Sequence, residues 1–174
     1  MNENYAEFRL AGVIRESIVD GPGFRFVVFA QGCPHHCEGC HNPETHSFEG
    51  GYISNTDNII EAMKKDSLLA GITLSGGEPF CQAEAFSVLA RRVKEMGLNV
   101  MAYTGFTFEQ LYAAFENHPE YKKLLEQVDI LIDGKFELSK RSLALKFRGS
   151  TNQRVIDVPA SLEAGKAIER DFEQ

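Results

Sequence analysis

The chain has 174 residues, of which 43% are hydrophobic and 25% are charged, and these values are ordinary for a globular domain with a sizeable core. We therefore expect one domain over residues 1–174. The net charge of −7 argues against a nucleic-acid partner, and no apolar run approaches the roughly eighteen residues that cross a bilayer.

The N-terminal part of the chain predicts a cytoplasmic protein that begins with two strands. The first residues, M-N-E-N-Y-A-E-F-R, lack the basic and apolar regions of a signal peptide. In the cytoplasm, four cysteines indicate metal or redox chemistry more than disulfides. Residues 8–14 are apolar enough for a first strand, and D-G-P-G at 20–23 predicts a turn. Residues 24–29, F-R-F-V-V-F, predict a strand buried on both faces of a parallel sheet.

The stretch that follows, residues 31–43, reads Q-G-C-P-H-H-C-E-G-C-H-N-P and places Cys33, Cys37 and Cys40 in a C-x3-C-x2-C pattern. Thiolates this close can bind one compact metal centre, and sulfur ligands favour zinc or an iron–sulfur cluster. A closed zinc site needs a fourth ligand. Four histidines lie near enough to supply it: His35, His36, His41 and His46. Alternatively, three ligands on a four-iron cluster would leave one iron open to an outside molecule. We interpret His35 and His36 as exposed loop residues.

Strands alternate with helices in the rest of the chain, which predicts βα units on a mostly parallel sheet. Thr107 and Gln110 match a capping box at the start of one helix. The predicted helices are residues 56–65, 82–96, a segment after 107, another from 119, and 161–170; the predicted strands are 71–74, 98–103, 128–132 and 155–158; residues 47–55 form a loop. Five or six strands are too few for a full eight-stranded barrel.

Polar and glycine-rich segments follow several of these strands, at the edge where ligands bind in α/β folds. S-G-G-E-P at 75–79 lets the backbone come close to a ligand. Residues 103–105, 133–135 and 152–154 follow or precede other predicted strands, and they are further candidates. Cys81 is interpreted as a small buried residue at a helix start, outside any cluster.

The cysteine stretch and its surroundings resemble a known family. C-x3-C-x2-C is the cluster motif of radical S-adenosylmethionine (SAM) enzymes. Residues 18–42, I-V-D-G-P-G-F-R-F-V-V-F-A-Q-G-C-P-H-H-C-E-G-C-H-N, are similar to the activating enzymes of glycyl-radical proteins. Residues 147–154, F-R-G-S-T-N-Q-R, and the short chain are similar to the branch that activates anaerobic ribonucleoside-triphosphate reductase. The residue before the third cysteine is commonly aromatic in the superfamily, whereas here it is Gly39, as in that branch.

The resemblance implies a partial, open (βα)6 radical-SAM barrel with one [4Fe–4S] cluster and SAM as cofactors. The implied cluster ligands are Cys33, Cys37 and Cys40. The implied SAM contacts are Gly39, Cys40, His41, Gly76, Gly77, Glu78, Asp133 and Lys135. The resemblance also implies that residues 103–105 line the ribose side of SAM and that Asn152, Gln153 and Arg154 reach its methionine carboxylate.

The implied activity is that of a radical SAM oxidoreductase. Reductive cleavage of SAM would give methionine and a 5′-deoxyadenosyl radical, which takes a hydrogen atom from a glycine of the reductase large subunit. A flavodoxin-type protein would be the reductant. Three alternatives stay open: an activase of a pyruvate formate-lyase type enzyme, a radical SAM enzyme acting on a small molecule, and a non-enzymatic iron–sulfur or zinc protein.

One further expectation concerns Gly77. We expect a bulky side chain at this position to block SAM while leaving the iron ligands untouched, because the cysteine loop lies elsewhere in the sequence. The alternative is that the glycine pair only forms a turn.

Overall fold

A computed structural model describes residues 2–40 and 42–172. These residues form one seven-stranded sheet with helices packed against it. The strands are β1 (Glu7–Ser17), β2 (Phe24–Ala30), β3 (Tyr52–Asn55), β4 (Leu69–Gly76), β5 (Asn99–Tyr103), β6 (Ile130–Asp133) and β7 (Arg154–Asp157). The helices are α1 (Thr56–Lys64), α2 (Ala83–Glu95), α3 (Phe108–Ala113), α4 (Pro119–Leu125) and α5 (Val158–Ala164).

The strand order is β3-β1-β2-β4-β5-β6-β7. The four central strands β2, β4, β5 and β6 are parallel to one another. β1 runs antiparallel to both β2 and β3, and β7 runs antiparallel to β6. Because the central strands are parallel, their carboxyl ends meet at one edge. The cysteine stretch, the G-G-E-P turn and the segments after β5 and β6 therefore gather there.

The core explains why these segments are held firmly. Val27 and Val28 on β2 are inaccessible to solvent, as expected for a strand covered on both faces. On α2, Phe86 and Leu89 are also fully buried, and the ring of Phe86 stacks on that of Phe8 with centroids 5.0 Å apart. No helix in the described part of the chain is long and apolar enough to cross a membrane.

The predicted α/β fold with a mostly parallel sheet is confirmed for the four central strands. The predicted capping box is also present, with Gln110 N donating to Thr107 Oγ1 at 3.1 Å. The loop prediction for residues 47–55 is wrong in its second half, which forms edge strand β3. Tyr52 and Ile53 are both exposed, so this strand lacks the buried apolar face that identifies a strand in a sequence.

The closing helix also differs from the prediction of residues 161–170. It begins at Val158, because the Asp157 side chain accepts a hydrogen bond from Ala160 N at 3.0 Å and caps the first turn. It ends at Ala164, because Gly165 adopts a left-handed conformation with φ of 71°.

Candidate functional site

The cysteine stretch follows β2 and forms a loop whose ends are held by hydrogen bonds. Gly32 N donates to the carbonyl oxygen of Thr45 at 2.6 Å, and Cys33 N donates to that of His46 at 3.1 Å. The buried amide of Gln31 donates to the carbonyl oxygens of Glu44 and Ser47. These bonds close the two ends of the stretch on each other, so the first cysteine has a fixed position.

All three cysteines of the pattern carry free thiols and open onto one cavity of about 110 Å³. Cys33 is buried, whereas Cys37 and Cys40 are partly accessible. Gly76 and Gly77 line the same cavity from the end of β4. The structure therefore brings the predicted metal ligands and the glycine pair together.

The donor set around this cavity fits an iron–sulfur cluster. Burial raises the pKa of the Cys33 and Cys37 thiols, and binding a metal would remove their protons. His46 also lines the cavity, and its Nε2 atom is buried without a hydrogen-bond partner among the described residues. Within residues 2–40 and 42–172, no three His, Cys, Asp or Glu side chains converge closely enough to bind a single metal ion. A four-iron cluster does not need its ligands to converge on one point, because each thiolate binds a different iron atom.

A second cavity, of about 360 Å³, adjoins the first and offers room for a larger ligand. Cys40, Gly76 and Tyr103 line both cavities. Burial raises the pKa of the Tyr103 hydroxyl, which donates to the carbonyl oxygen of Phe147 at 2.6 Å. Tyr103 is thus held in place between the two cavities, as expected for a residue predicted to line the cofactor site.

The G-G-E-P turn is bonded directly to the cysteine loop. Gly77 N donates to the carbonyl oxygen of Ala30 at 2.7 Å, and Glu78 N donates to that of Gly32 at 2.8 Å. Gly76 has a φ of 87°, a conformation that favours glycine. The turn therefore has both a conformational need for glycine and a close approach to the neighbouring backbone.

The carboxylate of Glu78 is fully buried and satisfied by protein donors. Its Oε1 atom accepts from Thr104 Oγ1 and Gly105 N, both at 2.8 Å, and lies 2.7 Å from His35 Nε2. Its Oε2 atom accepts from Phe80 N at 3.0 Å. The side chain is consequently fully engaged inside the protein, and so is the backbone of Glu78, because its carbonyl oxygen accepts from Cys81 N at 3.0 Å.

The interpretation of His35 as an exposed loop residue is wrong. Its side chain is only 6% accessible, because it pairs with Glu78. His36, next in the chain, is exposed as predicted. No periodic pattern distinguishes the two histidines in an irregular loop, so the sequence carried no signal for the difference.

Asp133 and Arg154, both predicted near SAM, are paired with each other. Arg154 Nε donates to Asp133 Oδ1 at 3.0 Å, and Arg154 Nη2 donates to Asp133 Oδ2 at 2.5 Å. Phe108 N also donates to Oδ2, at 2.8 Å. Arg154 reaches Glu109 as well, at 2.7 Å. These bonds anchor β6 to β7 and α3, and a contact of either side chain with SAM stays a prediction.

Two of the remaining predicted contacts, Lys135 and Gly39, are not among the residues that line the two cavities. Lys135 is exposed, and its carbonyl oxygen accepts from Asn152 Nδ2 at 2.8 Å. Gly39 is exposed with a φ of 74°, and a Cβ atom there would lie 3.0 Å from Leu138. His41 lies outside the described residues. Phe136, which no sequence pattern indicated, lines both cavities.

Cys81 is exposed, so its interpretation as a buried residue is wrong. It lines a different cavity, beside Glu7, Glu84 and Glu120. Partial desolvation, with the nearby Glu78 and Cys33, raises the pKa of its thiol to about 11. The structure thus keeps Cys81 apart from the cavity that the other three cysteines share.

Comparison with known proteins adds to this geometry. Residues 19–156 match the family described as a 4Fe-4S single cluster domain. The chain is 35% identical, over 144 residues, to the anaerobic ribonucleoside-triphosphate reductase-activating protein of Vibrio cholerae serotype O1, covering 78% of this chain and 89% of that protein. The proteins of the same name from Enterobacteria phage T4 and Escherichia coli K12 are 35% and 32% identical, covering 79% of this chain and 86% and 91% of theirs.

Among solved structures, the crystal structure of QueE from Escherichia coli is similar to part of the chain. The two share 14% sequence identity, and the TM-score is 0.46. The similarity covers 58% of this chain and 53% of QueE.

Proposed function

The chain belongs to the family of anaerobic ribonucleoside-triphosphate reductase-activating proteins, and we propose that it performs its activating role by radical SAM chemistry. It is an activating enzyme that contains a 4Fe-4S single cluster domain. The shared name of its relatives supports the reductase as its partner. The observation that supports the mechanism best is the convergence of three free cysteines and the glycine pair on one cavity.

Cys33, Cys37 and Cys40 would hold one [4Fe–4S] cluster. Cys33 is buried and its backbone is hydrogen-bonded, so its position is fixed, whereas Cys37 and Cys40 are more accessible to solvent. Because Cys81 lines another cavity, three cysteine ligands remain. The fourth iron would then be open to the amino and carboxylate groups of SAM.

The glycine pair would hold the amino group of SAM from the side of β4. The amides of Gly77 and Glu78 already donate to β2 and the cysteine loop, so carbonyl oxygens of the turn are the groups that would accept from the ligand. Tyr103 would close the ribose side between the two cavities. Five more residues are proposed to contact SAM: Gly39, Cys40, His41, Asp133 and Lys135.

A cluster held by these cysteines would supply the electron for reductive cleavage of SAM to methionine and a 5′-deoxyadenosyl radical, and that radical would take a hydrogen atom from a glycine of the reductase large subunit. The protein excludes water and fixes orientation. Cys33, which lines the smaller cavity, is buried, whereas the exposed Val19 and the partly accessible Leu145 line the larger one. The larger cavity would therefore receive the partner's glycine segment.

We propose four further properties of the protein: its barrel fold, its single domain, its reductant and its location. The open sheet would be the partial (βα)6 barrel of radical SAM enzymes, and residues 1–174 would form one domain. A flavodoxin-type protein would supply electrons. A cytoplasmic location is supported by the four free thiols, because reducing compartments preserve them.

Anaerobic reconstitution tests the proposed chemistry directly. We expect about four irons per chain and the formation of equal amounts of methionine and 5′-deoxyadenosine when SAM and a strong reductant are added. Iron bound without any cleavage of SAM, in the presence of the reductase, would contradict the proposed mechanism.

A further inference from the structure

The segment between the first two cysteines contains a buried histidine that the proposed chemistry does not use. His35 lies between Cys33 and Cys37 in the sequence, and its side chain is 6% accessible. Its ring packs edge-on against Phe106, with centroids 4.7 Å apart. Its Nε2 atom lies 2.7 Å from Glu78 Oε1, and since a carboxylate oxygen accepts, Nε2 carries the hydrogen.

Glu78 joins three loops at this point. Its fully buried carboxylate accepts from the loop after β2 through His35 and from the end of β5 through Thr104 and Gly105. It also caps the turn after β4 by accepting from Phe80 N. A buried carboxylate is costly unless donors surround it. The three loops are therefore constrained to meet around one group.

Gly105 provides the space that this arrangement needs. A Cβ atom at position 105 would lie 2.6 Å from His35 Nε2. Any larger residue there would push the imidazole away from the carboxylate. The fit of the ring between Gly105 and Phe106 shows that the end of β5 is shaped around His35.

The backbone bonds the G-G-E-P turn to the end of β2, through Gly77 N and Ala30, and to the start of the cysteine loop, through Glu78 N and Gly32. These two bonds do not involve His35. What it adds is a side-chain connection from the segment between two cluster ligands to the residue that follows the glycine pair.

We propose that His35 is a positioning residue, which fixes the cysteine loop relative to the SAM-binding backbone of the G-G-E-P turn. This inference rests on the proposed function, because SAM must contact the open iron and the turn at the same time. A small misplacement of one segment against the other lowers binding and reaction steeply. His35 would therefore act on SAM affinity and on the geometry of the bound ligand rather than on iron binding.

The test compares three variants of the reconstituted protein: His35→Leu, which removes the donor, His35→Gln, which keeps one, and Glu38→Gln, which alters an exposed residue of the same loop. Iron content, melting temperature and equilibrium SAM affinity are measured on the same preparations. The electron paramagnetic resonance (EPR) spectrum of the reduced cluster with SAM reports the ligand's geometry.

We expect His35→Leu to keep its iron but to weaken SAM binding by about tenfold, because the cysteine loop and the turn would no longer be held in the relative position that one ligand needs. His35→Gln should recover most of the affinity and the spectral change, and Glu38→Gln should match the wild type. If His35→Leu fails to hold iron, His35→Asn replaces it, because its shorter amide cannot reach Oε1.

Two results would overturn the inference alone. One is a His35→Leu variant that binds SAM within twofold of a SAM-binding wild type. The other is parallel loss of iron and SAM affinity in both His35→Leu and His35→Asn, which indicates a purely structural role. A wild-type chain that holds four irons yet binds no SAM would instead overturn the proposed function and this inference with it.

Discussion

The amide nitrogen of Glu78 donates to the carbonyl oxygen of Gly32 at 2.8 Å, although the two residues belong to segments far apart in the sequence. Gly32 immediately precedes the first cysteine. The turn after β4 and the start of the cysteine loop therefore form one hydrogen-bonded unit. The expectation that a side chain at Gly77 would leave the iron ligands untouched thus loses its basis, because the cysteine loop is distant in sequence but adjacent in space.

A side chain at Gly77 should weaken iron binding and SAM binding together. A Cβ atom there would overlap the carbonyl oxygen of Gly32 and lie 2.8 Å from that of Ala30. We expect Gly77→Val to lower the iron content of reconstituted protein, its melting temperature and its SAM affinity. Gly12→Ala is the control, because a Cβ atom at Gly12 meets nothing within 4 Å. Full iron content in Gly77→Val would show that the loop can yield without losing its ligands.

The four cysteines should separate into two classes. Cys33, Cys37 and Cys40 open onto the shared cavity, whereas Cys81 lines another one. We expect each of the three single alanine variants of the pattern to abolish SAM cleavage, and Cys81→Ala to keep both its iron and its activity. Iron analysis and product assays measure this. Loss of the cluster in Cys81→Ala would argue against three-cysteine ligation.

Arg25 should be a major determinant of stability. It is fully buried on β2, and burial lowers the pKa of its guanidinium to about 10, which leaves it charged at neutral pH. It donates to Thr73 Oγ1 and the carbonyl oxygen of Ile72, both at 2.7 Å, and to that of Pro22 at 3.1 Å. We expect Arg25→Met to lower the free energy of unfolding by roughly 2–4 kcal/mol, because it leaves these acceptors without their donor.

Urea denaturation of the metal-free, reduced chain measures this change. Lys64→Met is the control, because Lys64 is exposed and pairs with Glu61 only at 3.5 Å. Exposed ion pairs of this kind contribute about 0.2–1 kcal/mol. Equal effects of the two substitutions would show that the buried network of Arg25 adds no stability.

The two carboxylates that bind Arg154 should differ in how much their ion pairs contribute to the free energy of unfolding. Asp133 is 1% accessible, so Arg154→Ala would leave a buried charge unpaired and should cost about 3–5 kcal/mol. The Glu109 side chain is 56% accessible, so Glu109→Gln should cost about 1 kcal/mol or less. Urea denaturation at neutral pH measures both, and a larger effect of Glu109→Gln would contradict this order.

The contribution of Glu109 should also depend on pH. Its hydrogen bond to Arg154 lowers the pKa of the Glu109 carboxyl below its ordinary value. A carboxyl with a lower pKa in the folded state stabilises the fold above its unfolded pKa of about 4.3, and this stabilisation is lost as the pH falls through the folded value. The stability difference between wild type and Glu109→Gln should therefore be constant near neutral pH and shrink below about pH 4.5.

The regular elements of the fold were largely predictable from the sequence, because their signals are local. The capping box at Thr107 and the apolar run of β2 each specify an element within a few residues. β3 was missed because Tyr52 and Ile53 face solvent. The burial of Arg25 carried no local signal, because its acceptors come from β4 and from the turn before β2.

The site was predictable at the level of motifs but not of contacts. The cysteine spacing and the G-G-E-P turn indicated the residues that meet at one cavity. The burial of His35 depends on the space left by Gly105 and on the carboxylate of Glu78, which come from two other strands. Similarly, Asp133 and Arg154 were assigned to a ligand separately, whereas the antiparallel pairing of β6 and β7 places them opposite each other.

EPR spectroscopy tests most directly whether this chain makes a glycyl radical on its reductase. The reconstituted protein is incubated without oxygen with anaerobic ribonucleoside-triphosphate reductase, SAM and reductant. We expect a glycyl radical signal on the reductase that requires SAM and is absent with the Cys37→Ala variant. No radical on a competent reductase, from a protein that holds four irons and binds SAM, would contradict this expectation.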